Sequence, residues 1–104
     1  MDRSTILQRI KTGISEIDPG AEVFLYGSRA RGDNRQDSDW DILVITPKEK
    51  ITFEYESELR DPIYDIELEI GQVISLLVYS EIDWKTRMPY SPLYSNVQEE
   101  GIRI

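Results

Sequence analysis

The chain has no histidine and no cysteine among its 104 residues. Without imidazole, any general base or metal ligand has to be a carboxylate. Without thiols, disulfides and thiolate metal sites are excluded, and a reducing, cytoplasmic setting is the expectation. No apolar run approaches the length of a membrane span, and no apolar signal segment follows Met1, so no membrane association is expected. Basic charge is also scarce: 12 Lys and Arg stand against 20 Asp and Glu, a formal net charge of -8. A general nucleic-acid coat needs a basic face to release counterions, so direct nucleic-acid binding is not expected. An acidic balance suits hard divalent cations or a basic protein partner, and it also serves solubility alone.

The apolar residues that are present cluster with clear periods. Ile6, Ile10, Ile14 and Ile17 recur at helical spacing over 4–18, with Pro19-Gly20 as the stop. "EVFLY" (22–26) and "DILVIT" (41–46) read as strands, the second nearly all apolar and so buried on both faces. Tyr55, Leu59, Ile63, Ile66 and Ile70 predict an acidic helix over 50–70 that Gly71 terminates. Pro62 inside it implies either a kink or a restart capped by Asp61. "VISLLVYS" (73–80) is a third strand. The tail predicts a short helix near 81–88, a Pro-rich turn, a helical turn near 92–99 and a closing edge strand. The expected fold class is α/β (α+β): one domain spanning 1–104, a small mixed sheet of three to four strands with helices packed on it.

Chemistry concentrates in "LYGSRARGDNRQDSDWDILVI" (25–45). Gly27, directly after a strand, permits a sharp turn and close approach of a ligand to the main chain. Ser28 adds a hydroxyl and an amide, and "SRARG" can open a short helix with Arg29 and Arg31 nearby, a reasonable phosphate cradle. Downstream, Asp39 and Asp41 flank Trp40. Residues two apart in an extended segment point to one face, so the carboxylates project together and Trp40 projects away, into the core or against a helix. Such a pair repels unless a cation neutralises it, and Mg²⁺ held by carboxylates and substrate phosphates answers that need. An EF-hand reading of Asp37, Asp39 and Asp41 fails, because Ile42 stands where the loop needs Gly and Lys48 where it needs Glu.

Taken together, Gly27-Ser28, ten intervening residues and Asp39-Trp40-Asp41 resemble the signature of the DNA polymerase beta-like nucleotidyltransferase superfamily. The small size and the closing "NVQEEGIRI" are similar to its minimal nucleotidyltransferase (MNT) branch. The resemblance implies that Gly27 and Ser28 hold the β- and γ-phosphates of a nucleotide, with ATP as substrate, and that Asp39 and Asp41 ligate Mg²⁺ (or Mn²⁺). It implies phosphate contacts for Arg29 and Arg31, which could equally be solvated or paired with Glu. It further implies transfer of AMP to a hydroxyl, the acceptor in the MNT branch often being a tyrosine of a HEPN-type toxin in a toxin–antitoxin module.

One position departs from that pattern. The superfamily places a third carboxylate on the next strand, where this chain has "QVISLLVYS", and the position facing the pair falls near Ser75. A hydroxyl there neither deprotonates a nucleophile strongly nor holds a second Mg²⁺ well. Asp65, Glu67 and Glu69 either substitute for it or form the solvated face of their helix. The alternative to an enzyme is therefore a weak or inactive member of the fold that binds nucleotide or a partner.

Overall fold

The computed structural model describes Met1–Ile104. Helix α1 (Arg3–Ile17) starts where the Asp2 side chain accepts the Thr5 N–H at 2.8 Å. Strand β1 (Glu22–Tyr26) leads into a one-turn helix, α2 (Ser28–Arg31), and β2 (Trp40–Thr46) follows. Helix α3 (Phe53–Ile70) is capped by Thr52 at its start and by Gly71, at φ 67°, at its end. Then come β3 (Ile74–Ser80), α4 (Glu81–Thr86), a short 3₁₀ turn (Met88–Tyr90), α5 (Pro92–Glu100) and β4 (Ile102–Arg103). No helix is long and apolar enough to cross a membrane.

Sheet order is β3-β2-β1-β4, with β1 antiparallel to β2 and β4, and β2 parallel to β3. Side-chain alternation assigns the two faces. Val23, Leu25, Trp40, Ile42, Val44, Ile74 and Leu76 pack under α1 and α3 as the larger core. Leu43 and Ile45 point the other way, into a smaller cluster with Trp84 and Val97 from α4 and α5. Residues 42–45 are thus covered on both sides, as an unbroken apolar run requires. Trp84 belongs to this second cluster, its ring 5.8 Å from Tyr79 and 5.1 Å from Tyr94, whereas Tyr90 is exposed.

The restart capped by Asp61 does not occur: α3 is one helix from Phe53 to Ile70 with Pro62 inside it. Proline forfeits one helical hydrogen bond, and tertiary packing offsets that loss. A Cβ on Gly13 of α1 would stand only 3.0 Å from Pro62 Cβ, so the glycine lets the two helices close on the ring.

At the far end of β2 a buried carboxylate joins three elements. Asp18, just past α1, accepts hydrogen bonds from Thr46 Oγ1 of β2 (2.6 Å), Tyr55 Oη of α3 (2.7 Å) and the Gly20 amide (3.2 Å). Burial alone would raise its pKa, but the hydrogen bonds and Lys48 outweigh it and hold Asp18 below the ordinary value. A depressed carboxylate contributes stability above its unfolded pKa of about 3.9 and loses it as pH falls through the folded value. Asp18→Asn should therefore cost about 2 kcal/mol in urea unfolding at pH 7, the worth of hydrogen bonds to a charged group. The gap from wild type should narrow as pH falls below the ordinary carboxylate range and through the lowered value of Asp18; a gap that is constant with pH would contradict the role given to this charge.

Candidate functional site

The motif residues meet where β1 ends and β2 begins. The β1–β2 register sets Tyr26 directly opposite Asp41, and the β2–β3 register sets Asp41 beside Ser75. Because Trp40 and Ile42 face α1 and α3, Asp41 and its row project toward the α5 side. Asp39 is exposed and Asp41 half-buried, so the pair stands at an open rim. Ser75 is where the expected third acid would be. The helical acids do not substitute: Glu67 accepts the Ile74 amide at 2.8 Å and Glu69 pairs with Arg9 of α1, on the opposite side of the sheet.

Gly27 turns the chain at φ 77°, ψ -161°, a region open essentially to glycine alone. Its carbonyl accepts the Ala30 and Arg31 amides, both at 3.1 Å, which starts α2 at Ser28. The leading amides of a helix have no helical acceptor, and here they belong to Ser28 and Arg29. A Cβ on Gly27 would overlap Asp41 Oδ2 and stand 3.0 Å from its Cγ. The carboxylate of Asp41 thus occupies the space that a side chain at Gly27 would fill. The Gly-Ser turn and Asp41 are in direct juxtaposition.

Burial first, then the charge of Asp39, raises the pKa of Asp41; Arg31 opposes this and Glu100 adds to it. The Tyr26 phenol is pushed up to about 12 by burial and by Asp41 and Tyr79, so it stays a hydrogen-bond donor. Arg31 pairs with Glu100 at 2.8 Å and with Asp33 at 3.1 Å, leaving an acid surplus around one guanidinium. Arg29 faces elsewhere, toward Trp40 and the carbonyls of Gln36 and Ser38.

A divalent cation fits this chemistry. Two carboxylates and a serine turn supply hard oxygen donors beside a glycine that keeps the approach clear, and the mutual repulsion of Asp39 and Asp41 is what a cation would relieve. No three acidic side chains gather closely enough to hold an ion together, so an ion at the Asp39–Asp41 pair would need further oxygens from a bound ligand.

The nucleotidyltransferase-domain family profile matches residues 7–104. The chain belongs to this family. It is 35% identical over 80 residues to a Methanocaldococcus jannaschii protein named for protein adenylyltransferase activity, covering 77% of this chain and 73% of that one. A solved structure described as a minimal nucleotidyltransferase matches at TM-score 0.61 and 27% identity, over 100% of this chain and 97% of the other. A toxin–antitoxin structure with AMP-PNP shares the fold at TM-score 0.63 and 16% identity, over 99% of this chain and 72% of that one.

Sequence reasoning missed Glu100 and Gln72 as neighbours of the site. Glu100 lay within the quoted tail, but only the fold shows that α5 returns its last residue to Arg31.

Two glycines test the juxtaposition. Gly27→Ala should destabilise by about 2–3 kcal/mol, combining backbone strain with displacement of Asp41. Gly32→Ala, at φ 85° with nothing within 4 Å of the added carbon, should cost only about 1–2 kcal/mol of left-handed strain. Equal losses in thermal or urea unfolding would mean that Asp41 does not occupy the space beside Gly27.

Proposed function

We propose that the chain is a Mg²⁺-dependent nucleotidyltransferase that moves AMP from ATP to a hydroxyl on another protein. The observation that carries this reading is the packing of the Asp41 carboxylate against Gly27. It supports the reading because Asp41, proposed here to hold a cation with Asp39, lies beside the turn whose amides and hydroxyl are proposed to receive phosphate. The adenylyltransferase relative and the toxin–antitoxin neighbour with AMP-PNP support the choice of nucleotide and of a protein acceptor.

In this mechanism the amide and hydroxyl of Ser28, with the bare backbone of Gly27, receive the β- and γ-phosphates. Asp39 and Asp41 would hold Mg²⁺. When bound, the ion neutralises phosphate charge and stabilises the departing pyrophosphate. Arg31, held by Glu100 and Asp33 near Asp41, adds a positive charge at the rim. The acceptor hydroxyl attacks the α-phosphorus in line, giving up its proton to solvent at the open rim; its oxygen–phosphorus bond forms as the bond to the bridging oxygen breaks and pyrophosphate leaves. Catalysis here is positioning and charge neutralisation. An exposed Asp39 leaves the rim open to a side chain presented by a partner, for which a tyrosine of a HEPN-type toxin, in a toxin–antitoxin pair, is the proposed acceptor.

A second reading rests on Ser75. Lying in register with Asp41, it leaves β3 without a carboxylate to take the acceptor's proton. A chain so built could bind nucleotide and partner without turnover.

Labelled ATP, Mg²⁺ and the neighbouring gene product decide between them. The transfer reading expects label on the partner together with pyrophosphate release, lowered about 100-fold or more by Asp39→Asn or Asp41→Asn. Label that is equally weak in wild type and Asp41→Asn would contradict it, and nucleotide binding without release would favour the second reading. Ser75→Asp should raise the rate about tenfold by restoring a proton acceptor on β3; an unchanged rate would show that the missing acid does not limit the reaction.

A further inference from the structure

Arg29 lies one residue beyond the Gly-Ser turn, yet its side chain does not face the rim. Its Nε and Nη2 both donate to the Ser38 carbonyl, at 3.0 and 2.8 Å. Nη2 also reaches the Gln36 carbonyl and Gln72 Oε1, each at 3.3 Å. The guanidinium carbon stands 4.1 Å from the centroid of the Trp40 ring. Trp40 is 2% exposed, and its indole N–H donates to the same Gln72 Oε1 at 2.6 Å.

Asp39 therefore has a clamped neighbour on each side: the peptide of Ser38 before it and the ring of Trp40 after it. The connection from Gly32 to Asp39 has no helix or strand of its own. Without the clamp, Asp39 would hang from an irregular loop, and a carboxylate free to swing away from Asp41 loses the geometry a shared cation needs.

We propose that Arg29 is a positioning residue, which fixes Asp39 beside Asp41 for cation binding and makes no contact with phosphate. The proposal rests on Asp39 and Asp41 being the cation ligands. It requires a guanidinium specifically: one planar group must donate in a fork to Ser38 and stack on Trp40, and an ammonium cannot do both.

That requirement separates positioning from phosphate binding, because Arg29→Lys preserves charge and removes the fork. Three readouts suffice: amide hydrogen exchange over 36–41, Mn²⁺ affinity from the spin-resonance signal of the free ion, and pyrophosphate affinity by calorimetry. Arg29→Lys and Arg29→Gln should both accelerate exchange at Ser38 and Trp40, whose amides are hydrogen-bonded to Arg35 and Val73, and weaken Mn²⁺ binding about tenfold or more, the usual effect of removing a support behind a metal ligand. Pyrophosphate affinity without metal should change less than about twofold, since no phosphate contact is lost. Gln72→Ala, which leaves α2 intact, should shift exchange and Mn²⁺ affinity in the same direction by a smaller factor.

Wild-type exchange or wild-type Mn²⁺ affinity in Arg29→Lys would overturn the assignment. So would loss of pyrophosphate affinity with Mn²⁺ affinity intact. A wild-type chain that binds no Mn²⁺ at all sinks the transfer reading and this assignment with it. A wild type that binds Mn²⁺ while Arg29→Lys matches it sinks this assignment alone.

Discussion

The antiparallel register of β1 on β2 is the constraint from which the site follows. It sets Tyr26 opposite Asp41 and so brings the next residue, Gly27, against the Asp41 carboxylate. A slip of one residue would exchange the faces of every side chain on β2. Asp41 would then enter the core under α1 and α3, and Trp40, Ile42 and Val44 would leave it. Burial of Leu25 and Ile42, both 0% exposed, holds the register, so the same apolar packing that stabilises the sheet also assembles the site.

Electrostatics runs against the fold at that point. Burial first, then the negative charges of Asp39 and Glu100, raise the proton affinity of Asp41, with Arg31 opposing them. Asp18, at the other end of β2, shows the opposite solution: its carboxylate is saturated by two hydroxyls and an amide, so its charge is stable where it lies. The two ends of β2 therefore meet different acids: at one end Asp18, supplied from the end of α1, is satisfied and ties three elements together, and at the other an acid pair stands that a cation and phosphates would complete.

The fold was legible because its signals are local. Helical spacing of isoleucines, short β-prone runs and Pro or Gly stops marked each element to within a few residues, and the position near Ser75 that the family resemblance set against the acid pair is in register with Asp41. Pro62 was the exception; whether it breaks α3 depends on Gly13, which lies on another helix. The same limit applied to the arginines. Gly27, Ser28, Asp39 and Asp41 stood out through their resemblance to a family signature, but the partners of Arg29 and Arg31 include Gln72 and Glu100, 43 and 69 positions away, whose approach no local pattern encodes.

The account turns on one cation shared by Asp39 and Asp41 beneath a triphosphate seated at Gly27-Ser28. Crystals of the chain grown with Mn²⁺ and a non-hydrolysable ATP analogue test it through the anomalous signal of manganese. A single peak bridging both aspartates and the phosphates, with the Ser28 amide on a phosphate oxygen, is the predicted result. Two metal peaks, a metal away from the aspartates, or phosphates seated on Arg29 instead would contradict it.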